Sequence, residues 1–293
     1  MSENLLATAR LLGADDIHQL AAQAGIQPTK KLGQNFMCDP QTIRRIVTIA
    51  GVQPGDQVVE VGPGLGSLTL GLLGAGAHVT TVEIDPKLNA QLPQTVERFQ
   101  PQNADNLTTV LSDALAIETA DQLPGIDPDK PFALVSNLPY NVATPILLTL
   151  LARFSNLSSA CVLVQSEVAD RLSAGPGSKI YGVPSVKLRW YGEVKNAGKV
   201  ARSVFWPVPN VDSSLVSFTR WPQGSPQALR AQDYQLQERT FALIEAAFLQ
   251  RRKTLRAALR DQLSAEQIQA AGIEPMLRGE KLTLEQFAAL AQA

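Results

Sequence analysis

Val58-Val59-Glu60-Val61-Gly62-Pro63-Gly64-Leu65-Gly66 reads as a short apolar strand that runs straight into a glycine-rich turn. β-Branched residues favour the strand, and the glycines let the backbone turn sharply and approach a ligand closely. Apolar residues over 68–73 continue the segment as a helix, so the unit is strand, turn, helix. A nicotinamide fingerprint would need glycine at position 67, where Ser67 stands, so that pattern fails.

Three more strands follow with the same logic. His78-Val79-Thr80-Thr81-Val82 ends in Glu83-Ile84-Asp85, and an acidic side chain at such a strand end can take both hydroxyls of a ribose. Leu107-Thr108-Thr109-Val110 ends in Ser112-Asp113-Ala114, where a carboxylate can accept from an adenine amino group. Phe132-Ala133-Leu134-Val135 ends in Ser136-Asn137-Leu138-Pro139-Tyr140. Acid, glycine turn, acid, acid and amide thus fall at the carboxyl ends of four successive strands, the edge at which doubly wound sheets bind ligands. The expectation is an α/β fold with a nucleoside-type cofactor. Gly-x-Gly-x-Gly with an acid two places before it resembles the first motif of S-adenosylmethionine-dependent methyltransferases, a pattern that purely structural turns also produce.

The last of those strand ends suits one chemistry in particular. Asn137 offers a carbonyl oxygen that accepts from an amine. Pro139 lacks an N–H and biases Leu138 away from helical dihedrals, which helps to aim the Leu138 carbonyl outward. Tyr140 supplies a flat ring for a base, worth about 1–3 kcal/mol per stacked base. Two acceptors beside an aromatic face fit a planar heterocycle with an exocyclic amine, such as adenine. A strand-to-turn junction with a satisfied Asn and a packed Tyr fits the same four residues. Further on, closely spaced prolines in Phe205-Trp206-Pro207-Val208-Pro209 hold the backbone extended. Phe205 is then either a second ring opposite Tyr140 or a core residue.

Composition bounds the remaining choices. The chain has 293 residues, 45% hydrophobic and 18% charged, as in ordinary soluble globular proteins, with a prior of about two domains. No cationic region followed by an apolar block opens the chain, and the most apolar stretch, 142–152, is too short to span a bilayer. No membrane association and a cytoplasmic location are expected. Cys38 and Cys161 stand far apart in no metal or redox spacing, and with two His they make no structural zinc site. Net charge is −1, yet residues 51–135 hold 3 Lys/Arg against 11 Asp/Glu while residues 136–293 hold 18 against 12. An acidic half therefore precedes a basic one.

Domain limits follow from the punctuation. Residues 1–28 form an extension with a short helix (Ile17, Leu20, Ala21, Ala24) closed by Gly25, or else a disordered arm. Lys30-Lys31-Leu32-Gly33-Gln34-Asn35-Phe36-Met37 then leads into a helix that Asp39 caps and Pro40 opens. Residues 29–222 are expected to form the cofactor-binding domain, and Trp221-Pro222-Gln223-Gly224-Ser225-Pro226 the linker. Residues 223–293 read as a small helical domain. In it Phe241, Ile244, Phe248, Leu255 and Leu259 mark one long helix, with Arg252, Arg256 and Arg260 as a basic stripe, either solvated or facing RNA. Ser264 with Gln267 and Thr283 with Gln286 form capping boxes that open two further helices.

Taken together these stretches resemble the ribosomal RNA adenine dimethyltransferases that act on small-subunit (16S) RNA. The likeness rests on Lys31-Leu32-Gly33-Gln34-Asn35-Phe36, Glu60 through Gly66, Glu83-Ile84-Asp85, Asn137-Leu138-Pro139-Tyr140 and Glu167-Val168-Ala169-Asp170-Arg171-Leu172. It continues through the loop Gly175-Pro176-Gly177-Ser178-Lys179, residues 205–213 and Phe248-Leu249-Gln250-Arg251-Arg252-Lys253. It implies a Rossmann-like S-adenosylmethionine-dependent methyltransferase domain followed by a small helical RNA-binding domain. It also implies S-adenosyl-L-methionine contacts at Asn35, Met37, Gly62, Glu83, Asp113 and Asn137. Target-base contacts are implied at Asn137, Leu138, Pro139, Tyr140 and Phe205, without a metal. Met37 stands where the family usually has leucine, a volume-conserving exchange, and Ser166 replaces a common lysine. The implied partner is small-subunit rRNA in an assembling 30S particle, and the implied state a monomer. Three other readings remain: a large-subunit rRNA methylase that confers antibiotic resistance, a ribosome-assembly factor whose RNA binding outweighs catalysis, and an amide or protein methylase.

Overall fold

The computed structural model describes residues 5–26 and 34–293. The Lys30 to Gly33 part of the basic loop and Pro28 lie outside the described residues. Seven strands form one sheet: β1 (Gln57–Val61), β2 (His78–Glu83), β3 (Leu107–Leu111), β4 (Phe132–Asn137), β5 (Leu157–Gln165), β6 (Gly192–Val200) and β7 (Ser213–Arg220). Their order is β3-β2-β1-β4-β5-β7-β6. Pairings β1·β2, β2·β3, β1·β4 and β4·β5 are all parallel. The chain winds outward from β1 to β3 and then returns to the other side of β1. A crevice therefore opens at the carboxyl ends of β1 and β4, where a doubly wound sheet places its ligand.

Register sharpens that crevice. β1 stays paired with β2 along its full length, from Gln57↔His78 to Val61↔Val82. With β4 the pairing ends at Val59↔Leu134. Beyond it the buried Ser136 hydroxyl accepts from the Val61 N–H at 2.8 Å, so a side chain replaces the missing ladder bond while the backbones part.

Two contact-defined units divide the chain: Met1–Ala169 with Lys195–Phe218, and Asp170–Val194 with Thr219–Ala293. The sequence suggests limits at 28 and at 222. The contacts instead return residues 170–194 to the helical unit, because Tyr181 and Trp190 pack there against Phe248 and Phe241, with ring centroids 5.8 and 5.7 Å apart. The amino-terminal helix Ala14–Gln23 belongs to the core of the first unit, with Leu11, Leu12, Ile17 and Leu20 buried. It is not a loose arm.

The helical unit corrects one expectation. A single helix through Leu259 does not form: Tyr234–Leu249 ends at Gln250, and a separate turn, Leu255–Ala258, follows an extended Thr254. The N–H groups of Leu255 and Arg256 donate to the carbonyls of Leu277 and Pro275 (2.7 and 3.0 Å), outside any continuous helix. The three arginines therefore share no helical stripe. Arg251 is occupied locally: its Nε donates to Glu280 at 2.9 Å, and its Nη2 to the carbonyls of Lys179 and Ser178 at 2.6 and 3.3 Å. Arg252, Lys253, Arg256 and Arg260 are exposed. Both capping boxes form as the sequence predicts. Among the described residues no helix is long and apolar enough to cross a membrane.

Candidate active site

A cavity of about 210 Å³ lies at the carboxyl edge of β1, β2, β3 and β4. Its walls come from 60–68, 82–84, 112–115 and 137–142, and from 34–37 across from them. Asn35, Met37, Gly62, Glu83, Asp113, Asn137, Leu138, Pro139 and Tyr140 all line it. Phe205 does not. Only 2% exposed, it sits in the hydrophobic core, in a two-residue strand whose partner strand is Phe36–Met37, with Met37 opposite Phe205. Expected as a ring facing Tyr140, it instead packs behind the wall that Met37 presents to the cavity.

The glycine turn has the shape that its residues dictate. Gly64 and Gly66 have φ of 59° and 95°, a region that residues with a Cβ rarely adopt. A Cβ on Gly64 would come within 2.9 Å of the Phe36 ring. Phe36 can lie on the turn because that position carries no side chain.

Three carboxyl groups line the cavity, each in a different environment. Glu83 Oε1 accepts from the N–H groups of Ile84 and Asp85, both at 2.9 Å, so its own turn holds the side chain. Burial raises its pKa, opposed by these bonds and one from the Gly64 N–H. Glu60 is fully buried beneath the glycine turn, and burial pushes it up to about 8. A hydrogen bond from Thr69 Oγ1 at 2.6 Å opposes that rise, and the Glu83 charge reinforces it. Asp113 is exposed and receives the Leu115 N–H at 2.9 Å. None of the described residues lining the cavity is Lys or Arg. The three carboxyl groups give this lining an acidic character that suits a cationic ligand.

On the opposite wall the amide of Asn137 has its orientation set. Nδ2 donates to the Asn35 carbonyl at 3.2 Å, so that bond does not engage Oδ1, an acceptor at the end of β4. The Leu138 N–H is used by the Leu163 carbonyl at 3.1 Å. Tyr140 is anchored through its hydroxyl to Ser213 Oγ at 2.6 Å, and burial raises its pKa. Ser136 and Ser213 lie in stretches the sequence singles out, but their roles in setting the crevice and holding the ring do not show there. Their partners are 75 and 73 residues away, and no local pattern reports such pairs.

A glycine turn flanked by carboxyl groups at the strand ends of a sheet of this order is the arrangement of an S-adenosylmethionine-dependent methyltransferase. Comparison with known proteins narrows the class. The family model described as ribosomal RNA adenine dimethylase matches residues 26–293, and the chain belongs to that family. Ribosomal RNA small subunit methyltransferase A of Bifidobacterium longum subsp. infantis is 57% identical over 297 residues, covering 100% of this chain and 96% of the relative. The protein of the same name from Thermobifida fusca is 52% identical, covering 100% and 99%. Among solved structures, the 23S rRNA methyltransferase ErmE is 27% identical with a TM-score of 0.65, over 88% of this chain and 98% of that one. A dimethyladenosine transferase from Plasmodium falciparum, 21% identical with a TM-score of 0.71 over 87% and 95%, shares the fold.

Proposed function

We propose that this enzyme dimethylates the N6 amine of adenosines, two adjacent ones, in small-subunit 16S rRNA during subunit assembly, acting as a monomer in the cytoplasm. The observation that carries the reading is the fixed amide of Asn137 in the cavity lining, whose Nδ2 donates to the Asn35 carbonyl and whose oxygen is the group able to accept from a target amine. The full-length likeness to proteins named for the small subunit favours that RNA over the large-subunit RNA named for ErmE.

S-adenosylmethionine, when bound, supplies an electrophilic methyl group. Glu83 would hold its ribose, Asp113 its adenine amine, and the glycine turn with Asn35 and Met37 the remainder. A target adenosine must leave its stack to enter, at about a few kcal/mol when paired. Its exocyclic nitrogen is a weak nucleophile because the lone pair is delocalised into the ring. Asn137 Oδ1 and the Leu138 carbonyl accept the two amino hydrogens, and Tyr140 carries the base on its face. That arrangement orients the nitrogen, and the same two oxygens stabilise the positive charge that develops on it. The alkylated amine is strongly acidic and loses its proton to water. No side-chain base is required, and the described cavity lining contains no histidine. The exposed cations of the helical unit, Arg252, Lys253 and Arg256, contact RNA phosphates in this reading.

Unmethylated 30S particles incubated with the protein and labelled donor test the proposal. N6,N6-dimethyladenosine is expected at specific small-subunit positions, and no product with Asn137→Ala. Product only in large-subunit RNA, or none with the wild type, would overturn it. Normal subunit maturation with Asn137→Ala would favour the assembly-factor reading.

A further inference from the structure

The cavity wall formed by 34–37 ends in a short antiparallel ribbon, which the Cys38 N–H extends by donating to the Val204 carbonyl at 2.8 Å. Its strand is two residues long, and its partner, Phe205–Trp206, is equally short. Such a ribbon is marginal unless side chains pack behind it. Phe36 and Met37 are packed against the core, but the outer end of the ribbon is Trp206, half-exposed and paired with Phe36. The Trp206 ring stacks on Phe36 with centroids 6.2 Å apart and planes at 28°. On Trp206 in turn lies the edge of His18, at 4.7 Å and 79°. Phe36 rests on Gly64, so an unbroken series of rings leads from the amino-terminal helix to the turn beside the cofactor.

The extension is itself pinned at several points, just before the helix at Ala9 and Arg10 and on the helix at Gln19 and Gln23. Ala9 approaches Gly74 so closely that a Cβ there would lie 2.5 Å from its methyl group. Gln100 Nε2 donates to the Arg10 carbonyl at 2.8 Å and to the Leu70 carbonyl at 3.0 Å. Arg98 donates to Gln19 and Gln23 at 2.9 and 3.0 Å. A ring on so fixed a helix can brace what it touches.

We propose that the amino-terminal extension braces the cofactor cavity, and that His18 is a positioning residue for the donor through Trp206 and Phe36. When 34–37 leaves its place the cavity loses a wall, so the apparent dissociation constant rises as the competent fraction falls. Loss of an edge-on ring pair of this kind multiplies the ratio of displaced to in-place wall about two- to tenfold, and the competent fraction falls by up to that factor.

The test is S-adenosylhomocysteine binding to the full-length protein by titration calorimetry, which needs no RNA and stays interpretable whatever the RNA substrate. His18→Ala is expected to raise Kd by up to about tenfold, with the thermal midpoint of the unliganded protein lowered by no more than a few degrees, because His18 is exposed. His18→Phe, which restores an edge-on ring, is expected to return Kd to within twofold of the wild type. An unchanged Kd in His18→Ala overturns the proposal. So does a raised Kd that His18→Phe fails to restore, since that would mark a general disturbance of the helix.

Discussion

Replacing Glu60 by Gln tests whether a carboxyl group sits neutral beneath the cofactor turn. The side chain is fully buried with a folded pKa of about 8 against an ordinary 4.5, and desolvation is the main cause. An acid whose folded pKa is raised binds its proton more tightly when folded. Its contribution to stability is complete below pH 4.5, declines as the pH rises, and is gone above about 8. The whole span corresponds to about 5 kcal/mol, of which about 2 kcal/mol falls between pH 6 and pH 8. Glutamine keeps an oxygen for the Thr69 hydroxyl and has no proton to lose. Wild type should therefore lose about 2 kcal/mol more than Glu60→Gln between those two pH values, read from urea unfolding at each. Glu83, also raised by burial, tilts both profiles in the same direction, so the difference between the two proteins is the quantity to read. Parallel profiles would refute a neutral Glu60.

Three further outcomes follow from the geometry. Gly64→Ala forces a Cβ into a left-handed turn and towards Phe36, and should cost about 1–2 kcal/mol in the backbone alone; calorimetry should also show weaker S-adenosylhomocysteine binding. Ser136→Ala strands the buried Val61 N–H and should lower unfolding stability by about 1–3 kcal/mol, measured by chemical denaturation. Changing Arg252 and Arg256 together to Ala should weaken RNA binding and flatten its salt dependence by about two phosphate contacts. An unchanged slope there would mean that both side chains are merely solvated.

Much of the site was legible because each of its parts is local. Glu83, Asp113 and Asn137 stand directly at strand ends, and Gly62, Gly64 and Gly66 announce a turn whatever surrounds it. Asp39, Ser264 and Thr283 cap their helices through bonds within four residues, which spacing reveals. The arginine helix shows where that reading stops. The apolar pattern from Phe241 to Leu259 continues through a break, because side-chain periodicity does not record that 275–277 takes up the backbone donors.

Sequence alone settled the four strand ends, the glycine turn and hence the cofactor class, since short-range sterics and hydrogen-bonding chemistry act within a few residues. Tertiary structure decided the rest. It parted β1 from β4 through Ser136, turned the amide of Asn137 with a carbonyl 102 residues away, and withdrew Phe205 into the core. It also set the helix of residues 14–23 behind the cavity wall. Those outcomes depend on which distant groups meet once the core closes, and contacts of that range leave no periodic trace along the chain.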